Sequence, residues 1–274
     1  MSLPRRRSAP PSPRALALAA LLGLVACAPA ASGPASGTGL GSTGIKLGGE
    51  GINGTRQPPP APTRPPLQAA FSQEGVVWSD GQQACVARVP QLQPVCPRWP
   101  AATGAVAWNG GRAWAALPTL GQIVTVDGAA ESLPAGRVVA MSATRVYRED
   151  GSALSYSGAE VRGTLGRPSQ VLTGGSGRDY ALVGGRLWNV DSGHSEPAAG
   201  SFLLASPGGA EVTRVPTLAG RSGRLELRGT QVFRAGEETP LPLPGPAQAF
   251  GLLGDEAYIL VGGAGSWQLV LLDQ

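Results

Sequence analysis

The sequence is poor in the side chains that carry most chemistry. It holds one histidine, His194, one lysine, Lys46, and three cysteines, and charged residues make up 15% of its 274 positions. A Ser-His-Asp arrangement therefore has one candidate base, in Asp191-Ser192-Gly193-His194-Ser195. No Gly-x-Ser-x-Gly turn accompanies it. His194 reads as a turn or surface residue. A lone lysine far upstream excludes a Gly-x-x-x-x-Gly-Lys phosphate loop, and Gly174-Gly175-Ser176-Gly177 does not complete a dinucleotide fingerprint. Asn189-Val190-Asp191-Ser192-Gly193 alternates oxygens like the start of a calcium loop, but position 200, where the distal Glu belongs, is Gly. One enzymatic arrangement stays open, a pair of carboxylates drawn from Asp80, Asp127, Glu149, Asp150 and Asp255 and converging across a ring. With no catalytic, cofactor-binding or metal residue to assign, the expectation is a chain that is not an enzyme and takes no cofactor.

A surplus of positive charge is missing too, despite a formal +4. Arg5, Arg6, Arg7 and Arg14 account for all of it, so the remainder is about neutral and offers nothing to nucleic acid. Arg214, Arg221, Arg224, Arg228 and Arg234 face only Glu211 and Glu226 locally, and read as a solvated face.

Long apolar runs are absent as well. The longest at the front, Ala15 to Val25, has eleven residues, too few for a membrane span of about 20. It follows the basic head as the apolar core of a secretory signal does, and it ends in Leu24-Val25-Ala26-Cys27. Here the chain resembles the bacterial lipoprotein precursors, whose lipobox is a branched apolar residue, two small or apolar residues and a Cys. The resemblance covers about the first 27 residues. It implies cleavage before Cys27, a diacylglycerol on its thiol and often a further acyl chain on its amino group. Two or three chains give stable anchoring where one is marginal. The implied place is the cell envelope, outside the cytoplasmic membrane. Ala28 is not the Asp that in this family retains lipoproteins in the inner membrane, so an outer membrane is favoured where one exists.

With Cys27 lipidated, Cys85 and Cys96 remain as the pair expected of an oxidising compartment. The short loop they close predicts about 3 kcal/mol of stabilisation; free buried thiols are the alternative. Residues 27–68 form a tether. Nine glycines lie between Gly33 and Gly54, and Gln57-Pro58-Pro59-Pro60-Ala61-Pro62-Thr63-Arg64-Pro65-Pro66 favours polyproline II. A coil of that length spans about 35 Å, enough to lift a globule off the lipid.

From residue 69 to 274 short alternating apolar runs meet at Gly-rich turns, and no window keeps helical spacing. A strand, a tight turn and a second strand with a central aromatic recur. Those aromatics are Trp78, Trp114, Tyr147, Trp188, Phe233 and Tyr258, spaced 36, 33, 41, 45 and 25 residues apart. Phe202-Leu203-Leu204-Ala205 and Val212-Thr213-Arg214-Val215 read as third and fourth strands of one unit. Such units predict an all-β, propeller-like domain of about six blades, alternatively five, the aromatics packing blade on blade. Trp267 to Leu272 is expected to close the ring by pairing with Leu67 to Phe71. No signature dipeptide assigns a named repeat family. The expected function is a lipid-anchored, non-catalytic module that binds a protein of the envelope. A carbohydrate- or small-ligand-binding domain is the alternative, and exposed Trp would be its sign.

Overall fold

The computed structural model describes residues 67–127, 131–161, 165–206, 208–221, 223–263 and 266–272. Cys27, the leader and the chain up to residue 66 lie outside the described residues. All the regular elements described are β-strands. Blade 1 is β1 (Gln68–Ser72), β2 (Gly75–Ser79), β3 (Ala84–Arg88) and β4 (Pro94–Val95). Blade 2 is β5 (Val106–Asn109), β6 (Arg112–Leu117), β7 (Gln122–Thr125) and β8 (Ser132–Pro134). Blade 3 is β9 (Val138–Met141), β10 (Arg145–Arg148), β11 (Ala153–Ser155) and β12 (Glu160–Val161). Blade 4 is β13 (Gln170–Thr173), β14 (Asp179–Val183), β15 (Arg186–Asn189) and β16 (Ser195–Pro197). A hairpin follows, β17 (Phe202–Ser206) and β18 (Gly209–Thr213). Blade 5 is β19 (Thr217–Gly220), β20 (Gly223–Arg228) and β21 (Gln231–Arg234). Blade 6 is β22 (Ala247–Leu253), β23 (Glu256–Gly263) and β24 (Ser266–Leu271).

Each sheet is an antiparallel meander paired in chain order. Glycine makes the tightest turns possible. Gly110 and Gly111 join β5 to β6 at φ of 56° and 74°, the left-handed pair that a two-residue hairpin matched to strand twist requires. The first strands of the sheets touch in a closed cycle, β1 beside β5, then β9, β13, β17, β19, β22 and β1 again. That cycle is a β-propeller. The six sheets of three or four strands are its blades, and the two-stranded hairpin takes a sector between blades 4 and 5.

The expected repeat differs in phase from the observed one. Trp78, Trp114, Tyr147 and Tyr258 stand on second strands, whereas Trp188 and Phe233 stand on third strands. The second-strand aromatic of blade 4 is Tyr180, 33 residues after Tyr147, as Tyr147 is 33 after Trp114. Its first strand, Gln170-Val171-Leu172-Thr173, is half-buried throughout. Phe202 to Ala205 is not a third strand either, because β15 and β16 already fill those places.

Ring closure also departs from expectation. β24 pairs with β23, and β1 pairs with β2, so no sheet spans the seam. Side chains close it instead. Phe71 lies over Gly251, where a Cβ would stand 2.3 Å from the ring's Cγ. Trp78 meets Trp267 edge-on, with ring centroids 5.9 Å apart.

Aromatics serve the same purpose elsewhere. Trp114 shares a buried cluster with Met141, Val146 and Leu154 of blade 3, and Tyr147 shares one with Val171 and Val190 of blade 4. Each large apolar side chain so buried contributes roughly 1.5–3 kcal/mol. Cys85 on β3 and Cys96 just past β4 form a disulfide that pins the outer edge of blade 1, with Cα atoms 4.2 Å apart.

Candidate functional site

The first strands enclose a central channel of about 460 Å³, within the usual range of about 300–1,000 Å³ for ligand pockets. Its apolar wall includes Leu67, Val106, Met141, Val171, Leu203 and Phe250. Its polar groups are Gln68, Ser169, Gln170, Thr217 and Gln248. No ionisable side chain lines it. Gln170 accepts the Leu203 N–H through Oε1 at 2.9 Å, which joins blade 4 to the hairpin. Ser169 and Thr217 donate to the carbonyls of Leu182 and Val215 at 3.1 and 2.9 Å. Gln68 and Gln248 make no side-chain hydrogen bond among the described residues, so two complete amides face the channel. Such a lining recognises neutral polar groups by paired donors and acceptors.

The carboxylates named from the sequence do not converge. Asp80 Oδ1 accepts the Gln82 and Gln83 N–H groups and caps its own turn. Asp127 pairs with Arg88, Glu149 with Arg137 and Arg167, and Asp255 with Arg221. Asp150 accepts from Ser152, which holds its carboxyl below the usual carboxylate range. The arrangement of paired acids at the ring is therefore absent among the described residues. The calcium-like stretch is a turn: Asn189 Oδ1 accepts the Ser192 N–H, and Asp191 accepts the Asp179 N–H and pairs with Arg145. Burial works to raise the Asp191 pKa, but those two donors hold it below the usual range. Of the tryptophans, Trp78, Trp108 and Trp114 are buried and Trp99, Trp188 and Trp267 half-buried. None offers the exposed platform that a sugar-stacking site needs.

Sequence reasoning missed the strongest polar constellation, which lies on the seam between blades 3 and 4. Asp179, fully buried, accepts hydrogen bonds from Ser142 Oγ at 2.6 Å, Thr144 Oγ1 and Thr173 Oγ1 at 2.7 Å, and the Tyr147 hydroxyl at 2.8 Å. Burial, and then the adjacent carboxylate, pushes the Tyr147 phenol above the ordinary tyrosine range. Every oxygen is occupied, so the group is a bolt between blades rather than an open site. Its partners stand up to 37 residues away in sequence, and no local pattern points to them. Related bonds join the earlier blades: Ser79 to Thr103 at 2.7 Å, Trp108 Nε1 to the Ala70 carbonyl at 3.0 Å, and Asn109 Nδ2 to the Ala143 carbonyl at 2.8 Å.

No protein-family model matches this sequence, and no curated protein is recognisably related to it. Among solved structures the chain is similar to a selenomethionine-substituted virginiamycin B lyase from Staphylococcus aureus. The identity is 11% and the TM-score 0.41, over 76% of this chain and 85% of that one. It is also similar to a streptogramin B lyase, at 12% identity and a TM-score of 0.38, over 76% and 83% of the two chains. Both are enzymes by name. The expectation that this chain is not an enzyme, drawn from missing motifs, is therefore withdrawn: propellers so named are among the structures it resembles. The chemistry of those lyases is not carried over to this chain.

Proposed function

We propose that this chain is a lipid-anchored protein of the bacterial envelope whose propeller binds an extended segment of another envelope protein at its central channel. The carrying observation is the channel itself, about 460 Å³ of mixed apolar and amide surface without a single ionisable group. A peptide backbone presents one donor and one acceptor per residue, and a glutamine amide presents the same pair. Gln68 and Gln248 thus match a peptide, the Gln170 amide nitrogen adds a donor, and Leu67, Val171 and Phe250 accept apolar side chains. Nucleic acid is disfavoured, because nothing in the channel meets a phosphate. Support for the anchor is independent and comes from the basic head, the apolar core and Cys27. The Gly- and Pro-rich residues 27–68 then act as the leash, and the globular domain is residues 69–274.

A photo-crosslinking residue at position 248 in the full chain, expressed in its own membranes, tests the channel. One protein is expected to be captured there, not from position 268 on the outer strand, and to be lost on Thr217→Glu. Equal capture from both positions, or capture that survives Thr217→Glu, overturns the channel as the site. The anchor is tested apart: Cys27→Ser is expected to move the chain from the membrane to the soluble fraction and to abolish labelling by a palmitate analogue.

A further inference from the structure

The hairpin sector opens a second cavity, unconnected with the channel reading. Blade 4 has four strands and the hairpin beside it two. Between the outer strands of blade 4 and the β17–β18 tip lies a groove of about 280 Å³. Tyr180, Asn189, His194 and Glu196 line one wall, and Ser206 and Gly209 the other. Leu187 forms part of its floor. Glu196 stands on β16 and His194 immediately precedes that strand, and both line the groove.

Two features set this groove apart from ordinary surface. Tyr180 is 8% exposed, yet its hydroxyl, which reaches the groove, makes no hydrogen bond among the described residues. The ring is seated between two glycines: a Cβ at Gly209 would stand 2.5 Å from the Tyr180 hydroxyl, and one at Gly174 3.0 Å from its Cε2. The ring is buried while the hydroxyl opens on the groove, where water or a ligand group can be its partner. The second feature is Glu196. Half of the carboxylates described are matched to an arginine, Glu131, Glu160, Glu211 and Glu226 among them. Asp179 is matched by hydroxyls instead. Glu196 is exposed and, like Glu237 and Glu238, has neither cation nor donor among the described residues, but unlike them it lines this groove.

We infer that this groove binds a small organic cation, an alkylammonium or a guanidinium, by the charge of Glu196 and the hydroxyl of Tyr180. The carboxylate takes the charge, and the Tyr180 and Ser206 hydroxyls accept further N–H groups. Leu187 covers the carbon skeleton, and the volume limits the ligand to a few heavy atoms or to one side-chain head group. The cation is either a free amine or a Lys or Arg side chain of another protein.

The chain supplies its own reporter, since His194 is its only histidine and lines the groove. The full chain in detergent, titrated with propylammonium or methylguanidinium, is expected to show a saturable shift of the single imidazole proton resonance. Glu196→Gln is expected to weaken binding about tenfold or more, in keeping with a lost charge-assisted hydrogen bond. Tyr180→Phe is expected to weaken it several-fold with the thermal unfolding midpoint unchanged. A blocked peptide with one central arginine separates the sources: binding tighter than free methylguanidinium assigns a protein side chain, and weaker binding a free cation. No shift with any of these probes, an equal response to neutral propanol, or undiminished binding by Glu196→Gln overturns the inference.

Discussion

Blades 1–4 and the sector from the hairpin through blade 5 are built from the same alternating strands but held together differently. All the buried polar residues described, Ser79, Asp80, Thr103, Thr125, Ser142 and Asp179, belong to the first region. Hydrogen bonds there cross from blade to blade in unbroken succession. Between residues 198 and 246 the buried apolar side chains described are Leu204, Leu227, Val232 and Phe233. The polar links of that sector are the part-buried bond from the Leu203 N–H to Gln170 and two exposed pairs, Arg224 to Glu211 and Arg221 to Asp255. A propeller thus tolerates one thin sector when its neighbours are bolted. The thin sector is also where strands are missing and a groove opens. Rigidity and accessibility are divided around the ring.

The largest test of this division is Trp78→Ala. Trp78 is fully buried at the first-to-last seam, against Leu253, Leu260 and Trp267. Truncating such a residue costs about 3–5 kcal/mol, to be read as a shift in the urea midpoint. Because no strand pairing spans the seam, a loss below about 1 kcal/mol would mean that side-chain packing does not close the ring. Asp179→Ala comes next. It strands the hydroxyls of buried Ser142 and Tyr147, half-buried Thr173 and exposed Thr144, and with about 1–3 kcal/mol per unsatisfied buried donor, about 3 kcal/mol is expected after partial rehydration. Stability unaffected by this change would remove the bolt from the comparison.

How far the sequence foretold this division depends on the residue. Alternation and Gly-Gly turns made the hairpins legible, as Gly110-Gly111 and Gly184-Gly185 illustrate. Phase was lost at blade 4, because β13 is half-buried at every position and its period of two is invisible. The two-stranded sector was illegible for a related reason: a pair of short strands reads alike whether it completes one sheet or stands alone. Cys85 and Cys96 were legible by parity. Gln68, Gln170 and Gln248 were not, since a glutamine facing a channel has the same sequence context as one facing water. Asp179 precedes an aromatic strand and looks like a turn residue; only the ring brings Ser142, Thr144, Tyr147 and Thr173 to it.

Gly251→Ala sharpens the comparison at the seam. The added methyl would meet Phe71 at van der Waals overlap, 2.3 Å from Cγ and 2.7 Å from Cβ. Overpacking of this kind costs about 1–3 kcal/mol. The companion change Phe71→Ala should relieve the clash, so the double variant is expected to be less destabilised than the sum of the two single ones. Additive losses in that cycle would place the strain elsewhere.

The smallest effect belongs to the thin sector itself. Arg224 and Glu211 pair at 2.6 Å across the hairpin and blade 5, but their side chains are 51% and 46% exposed. Water and salt screen such a pair, and its two long side chains must be ordered to form it. Glu211→Ala is therefore expected to change unfolding free energy by less than about 0.5 kcal/mol, and less again at high salt. The contrast with Asp179→Ala is the point of the measurement, because both residues are carboxylates linking adjacent sectors. If Glu211→Ala costs as much as Asp179→Ala, the thin sector is held as firmly as the rest, and the division between bolted blades and an open sector fails.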